Sequence, residues 1–240
     1  MPKQARALRT YDRVLDAAAY EFARYGYANA NLQNMADRVR LTKGALYGHF
    51  ATKEDLAVAL DNHLSDALGE LLAEARVLSC PAPSRLRSLV TGLGRLFGTD
   101  ERALAALRLS AETARSAGRP IPLLAEAHGL VLRLVRETQK AGHWNASVPT
   151  VPLADLIMAA LLGTFLTETG PDSDHGRAGT EGADSIDAMW EALSRALDDT
   201  PRTEPGGRAC GGSPGGESRP GGTIAHALPP HARAGQQLLP

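Results

Sequence analysis

The sequence predicts an all-α protein, with three short helices at its N-terminus and a larger helical bundle behind them. Three observations carry this. Apolar residues recur at intervals of three and four positions as far as about residue 198, and no alternating run of strand type interrupts them. Only 5% of the 240 residues are aromatic, so the core must be built from Leu, Ala and Val, and Leu and Ala favour helices. Pro81, Pro83, Pro120 and Pro122 fall between the periodic segments, where they break the chain.

The elements follow in order. Residues 1–9, MPKQARALR, read as a basic arm. Thr10 is the expected cap of a first helix, with Asp12 in its first turn. Val14, Leu15, Ala18 and Phe22 share one face of it, and Gly26 is its expected stop. Asn31 is positioned to cap a short second helix carrying Leu32, Met35, Ala36 and Val39. A turn over residues 40–42 leads to a third helix, 43–49, which Phe50 ends. Lys53, Glu54 and Asp55 open a long helix, 54–77, that buries Leu56, Leu60, Leu64, Leu68, Leu71 and Leu72.

Further helices are expected over 84–98, 101–117, 123–141 and 153–169. A Gly/Asp/Ser loop over 170–182 precedes a last helix, 184–198, with Ile186, Met189, Trp190, Leu193 and Leu197 on one face. Beyond Pro201 the chain turns to PRTEPGGRACGGSPGGESRPGG. Such a segment buries too little apolar surface to offset its ordering entropy, so disorder is expected. The expected partition is therefore 1–53, 54–200 and a 201–240 tail.

Composition narrows the function. Two distant cysteines, Cys80 and Cys210, exclude a disulfide framework and fit a reducing cytoplasm. No leader is visible and no stretch approaches the roughly 20 apolar residues that span a bilayer, so no membrane partner is expected. The net charge of −1 conceals an asymmetry: residues 1–53 carry nine Lys/Arg against four Asp/Glu, and the remainder 17 against 23. A basic front on an acidic body is an electrostatic footprint for a polyanion, although a merely solvated basic face has the same charge.

Residues 32–50 have the packing logic of a helix-turn-helix. Two short helices that cross steeply need a small side chain at the contact, and Ala36 provides it. Met35, Val39, Leu41 and Leu46 fall where apolar residues seal the pair against the first helix. The outer face of the third helix is then free for a major groove, which admits one helix. Thr42 and Lys43 stand at its start. Lys43 is the candidate base-edge contact, since lysine donates to guanine acceptors. Gly44 lets the backbone approach closely. Tyr47 and His49 can donate to phosphates, as can Lys53 at the head of the next helix and Asn31 at the preceding cap. Taken singly, Tyr47 also fits a partly buried core position, and His49 and Lys53 fit a solvated surface. Their arrangement around one helix-turn-helix core is the stronger signal.

YGYANANLQNMADRVRLTKGALYGHFATKEDL resembles the N-terminal domain of TetR-family transcriptional regulators, whose signature ends in TKGALY-x-HF-x-[ST]KE. The match covers about residues 8–57. KQARALRTYDRVLDAA and TKGALYGHF are most similar to the γ-butyrolactone receptors, and their receptor-like relatives, of Streptomyces-type bacteria. The resemblance implies a homodimeric repressor on a palindromic operator, released when a small hydrophobic signal such as a γ-butyrolactone or an antibiotic binds the C-terminal bundle, and a role in secondary metabolism. Arg40 departs from the Gly frequent in the family's turn, and Gly48 from a bulkier residue. The tryptophan usual in a pocket-lining helix is absent from 123–141, which favours a receptor-like relative.

For the body, the helices at 153–169 and 184–198 are the candidate dimer seam, although the same apolar faces also suit the monomer's own core. Leu93, Phe97, Leu107, Ala111, Leu161 and Phe165 are candidate ligand-lining residues, and they equally fit plain core filling. The helix 54–77 joins head to body and is the expected lever. No metal-ligand spacing, nucleophile elbow or phosphate loop stands in the chain, so no enzyme, metal or cofactor is expected. Two other readings remain in view: a protein-interaction module that keeps the fold, and an activator with no small-molecule inducer.

Overall fold

The computed structural model describes residues 2–118, 121–166 and 175–198. Among them lie nine helices and no strand: α1 (Pro2–Asn29), α2 (Leu32–Arg38), α3 (Lys43–Tyr47), α4 (Lys53–Val77), α5 (Ala82–Thr99), α6 (Glu101–Ala117), α7 (Pro122–Lys140), α8 (Thr150–Leu166) and α9 (His175–Leu197). None of these helices is long and apolar enough to cross a membrane. The expected tail 201–240 lies outside the described residues.

The N-terminal elements differ from expectation at one end. α1 starts at Pro2, so the expected arm is helical from there. Thr10 does not cap: it sits inside α1 and its hydroxyl donates to the carbonyl of Arg6, four residues back, at 3.0 Å. A hydroxyl that finds this local acceptor is tolerated within a helix, and the propensity of Gln, Ala, Arg and Leu on either side carries the helix through. At the other end, Gly26 takes φ 72° and kinks α1. A side chain there would meet the Glu112 carboxylate at 3.2 Å. Instead that carboxylate accepts the Tyr27 backbone N–H at 3.1 Å.

Two caps organise the next helices. Asn31 Oδ1 accepts the Gln33 N–H at 2.8 Å and starts α2 as expected. Thr52 and Asp55 form a reciprocal capping box at the start of α4, with bonds of 3.0 and 2.9 Å. Leu56, Leu60, Leu64, Leu68 and Leu72 are then buried along α4, at spacings of four. α3 is shorter than expected and ends at Tyr47, with Gly48 as its cap. α8 begins at Thr150, three residues early. α9 begins at His175, so residues 175–182 of the expected 170–182 loop are helical, and 170–174 lie outside the described residues.

All nine helices belong to one compact unit. α6 packs against both α1 and α4, and α5 packs against α9, α7 and α4. The expected 53/54 boundary is thus a packed joint. The buried amide of Gln139 fastens the connection from α7 to α8: it donates to the carbonyls of Asn145 and Val148 (3.1 and 2.7 Å) and accepts from Thr150 (2.7 Å). A buried polar side chain with its bonds made specifies one conformation of a loop. Trp144, after α7, and Trp190 of α9 meet at 5.6 Å between ring centroids.

Candidate nucleic-acid interface

The helix-turn-helix is built on α1. Glu21, only 4% exposed, accepts the Asn31 backbone N–H at 3.1 Å and the Asn34 amide at 3.0 Å, which locks α2 to α1. Arg13 donates to the carbonyl of Val39 at 2.8 Å and ties the end of α2 to the same helix. Met35, Ala36 and Leu46 are fully buried, as the crossing of two short helices requires. Tyr11 stacks on Phe50 at 4.7 Å and seals the exit from α3.

With Leu46 pinned inward, the opposite face of α3 is open. Thr42 caps the helix by accepting the Ala45 N–H at 3.1 Å, and its hydroxyl proton stays available. Lys43, Gly44 and Ala45 are exposed, and Tyr47 is 43% exposed. Within the protein, nothing approaches within 4 Å of the place a Gly44 side chain would occupy. The Lys43 ammonium lies 6.0 Å from the Tyr47 ring centroid, at the outer limit of a cation–π contact, so the two side chains rise from the same side of the helix.

The remaining sequence-selected residues behave differently. His49 is half-buried. Lys53 is also half-buried: its ammonium donates to the carbonyl of Ala28 at 3.2 Å and lies 4.9 Å from the Tyr27 ring. Lys53 therefore closes the end of α1 and keeps only its remaining donors for a partner. The Asn31 side-chain oxygen is occupied by its own cap. Two other basic residues, at the end of α2 and in the turn after it, were not among the expected contacts. Arg38 lies 3.4 Å above the Tyr20 ring, and Arg40 is exposed in the turn. No local spacing marks the first of these, because Tyr20 belongs to another helix.

The head is held to the body by side chains of α6. Arg102 donates to Asp16 at 2.7 Å and to the carboxylate and carbonyl of Asp12 at 3.4 and 3.0 Å. Burial alone lowers its pKa, but the bond to Asp16 and the charges of Asp16 and Asp12 more than offset this, and the guanidinium is raised above its ordinary value. Arg108 donates to the carbonyl of Ala23 in α1 (3.3 Å) and to that of Phe165 at the end of α8 (3.2 Å). Glu112 holds Tyr27, and Ser110 donates to Asp61 of α4 at 3.0 Å. So α6, alongside the expected lever α4, touches the head.

The candidate ligand-lining residues lie deep in the body. Leu93, Phe97, Leu107, Leu161 and Phe165 are at most 1% exposed and Ala111 is 4% exposed. Phe97 and Phe165 pack at 5.8 Å between centroids. A groove of about 510 Å³ lies apart from them, between α1, α4 and α6, lined by Tyr27, Glu54, Ala57, Asp61, Leu109 and Ser110.

Comparison with known proteins agrees with this architecture. Residues 14–60 match the family described as bacterial regulatory proteins, tetR family. The A-factor receptor protein of Streptomyces griseus is 34% identical over 197 residues, covering 80% of this chain and 65% of that receptor. The chain thus spans just under two thirds of that relative's length. The fold is similar to a crystal structure of a γ-butyrolactone receptor (ArpA-like protein), with a TM-score of 0.64 at 24% identity, covering 83% of this chain and 93% of that one. It is also similar to CprB of Streptomyces coelicolor, solved in complex with its biological operator sequence, with a TM-score of 0.62 at 26% identity over 82% of this chain and 92% of that one. By residues 14–60, the chain carries an N-terminal domain that matches the family of bacterial regulatory proteins described as tetR.

Proposed function

We propose that the protein is a transcriptional repressor, not an enzyme, that binds a palindromic operator as a homodimer and leaves it when a small hydrophobic molecule binds the body. In this reading residues 1–53 form the reading head and 54–200 the ligand-binding and dimerisation part. The observation that carries it is the open face of α3: Lys43, Gly44 and Tyr47 are exposed above a fully buried Leu46. That face presents a donor for base edges, room for close approach and a hydroxyl for phosphate.

Dimerisation is supported by α8. Its 17 residues carry one charge, Asp155, and its outward side is apolar, with Leu156 56% exposed next to Ala159 and half-buried Leu162, Gly163 and Leu166. A single-charge apolar stripe of this kind suits a seam with a second copy. Twofold symmetry then sets two reading heads roughly 34–36 Å apart or a multiple of that distance. The signal acts by favouring a spacing that DNA does not match. About a hundredfold change in affinity, about 2.7 kcal/mol, lies within the usual range of such coupling. The likeness to an A-factor receptor supports a signal of γ-butyrolactone or antibiotic type and a role in secondary metabolism.

Selection of bound duplexes from a random pool tests this directly. Enrichment of an inverted repeat, bound with an affinity that falls steeply with salt, is expected. No enrichment, or binding indifferent to salt, sinks the proposal. Repeating the binding assay with culture extracts identifies the releasing signal.

A further inference from the structure

The turn between α2 and α3 contains a residue its fold does not favour. α2 closes in a Schellman motif: Leu41 N–H donates to the carbonyl of Ala36 at 2.9 Å and Arg40 N–H to that of Asp37 at 3.0 Å. This pair of bonds requires a left-handed backbone at the residue between, and Arg40 has φ 56°. Among the described residues four positions have positive φ. Gly26, Gly118 and Gly142 fill three of them, and Arg40 alone carries a side chain. Among the described residues, then, glycine fills every other position of positive φ, and the turn that aims α3 is the exception.

The two backbone bonds hold the turn whatever residue stands there, and among the described residues no contact of the Arg40 side chain offsets its strain. Arg13 of α1 and Arg38 of α2 have intramolecular partners: the carbonyl of Val39, next to the turn, and the ring of Tyr20. The Arg40 side chain is exposed, and it stands two residues before Thr42, on the approach to the open face of α3. Strained non-glycine residues persist where the surrounding structure holds them and function uses them. We infer that Arg40 is a DNA-phosphate contact, retained in a left-handed turn because its guanidinium grips the operator backbone beside the reading helix. The inference rests on the proposed function and adds a site to it. A phosphate contact positions the head without reading sequence.

The test uses the full-length protein and its selected operator duplex, comparing wild type with Arg40→Gly and Arg40→Lys. Arg40→Gly relieves the turn, so its melting temperature is expected to rise by about 2 °C. Its operator affinity is expected to fall, with the same sequence preference. The slope of log affinity against log salt is expected to shrink by about 0.9 for each head, about 1.8 for a pair. Arg40→Lys keeps the charge and is expected to keep the wild-type slope. An unchanged affinity and slope in Arg40→Gly overturns the inference while leaving the proposed function standing. A lowered melting temperature in Arg40→Gly overturns its premise of strain. Absence of salt-dependent binding by the wild type with any duplex removes the proposed function itself.

Discussion

On α3 the residues that the motif sets apart face outward. Tyr47 is 43% exposed, and Lys43 and Gly44 are open. In the body the residues set apart as candidate ligand lining face inward, and Phe97, Leu107, Leu161 and Phe165 are at most 1% exposed. The difference teaches how two kinds of site are made. A reading surface is produced by spacing along one short helix, and packing beneath it only has to hold the helix still. A cavity is produced by side chains that fail to fill a space, and that failure depends on every neighbouring element.

The largest expected effect breaks the comparison on the body's side. Phe165→Ala removes a ring packed at 5.8 Å against Phe97. If Phe165 is a filled core residue, the cost is about 3–5 kcal/mol, read by denaturant unfolding. A cost well below that range means the ring borders a space able to take a ligand. Lys43→Ala probes the head's side. It is expected to weaken operator binding by about 1–3 kcal/mol and relax preference at the base it reads, while stability stays within about 0.5 kcal/mol. Unchanged affinity and preference remove Lys43 from the reading face.

The joint between the two regions gives an effect of similar size. Glu112→Ala leaves the Tyr27 amide without its carboxylate acceptor. Faster hydrogen exchange at that amide is expected, with a stability loss of up to about 1.5–3 kcal/mol. Unaltered exchange at Tyr27 argues against a tie between α6 and the kinked end of α1. The smallest effect is at Tyr27 itself. Its bond to Glu54, with burial and the Glu54 charge adding to it, raises the phenol above its ordinary value of 10.0. The folded state then holds this proton more firmly than the unfolded chain. The contribution to stability is complete below the unfolded value and is lost as pH rises through the folded one. Tyr27→Phe is expected to lower stability by an even amount through the neutral region, where the bond to Glu54 is lost, and to flatten the alkaline limb above about pH 10.

Much of the head was legible before the fold. Asn31 caps α2, and Ala36 and Leu46 are buried, each as the spacing predicts. Thr10 misled because Ser and Thr favour caps only where a helix begins, and the helix-forming residues around it run on in both directions. The loop expected at 170–182 misled for a related reason. Gly and Asp weaken a helix, but Gly182 lies close against Phe165, where a side chain would meet the ring at 2.8 Å, so packing of α9 favours that glycine inside a helix.

By itself the sequence determined where the helices lie, which side of each is apolar and which residues crown α3. These follow from propensity, capping and the 3.6-residue period, all of which act within a few positions along the chain. Tertiary structure alone decided that Lys53 closes α1 by bonding to Ala28, that Arg38 lies on Tyr20, and that Arg102, Arg108 and Glu112 bind the head to the body. Lys53 and Ala28 are 25 positions apart, and Arg102 and Asp12 are 90 apart. Such partners meet only once apolar faces have packed, and no local pattern specifies which distant side chain that packing brings within hydrogen-bonding reach.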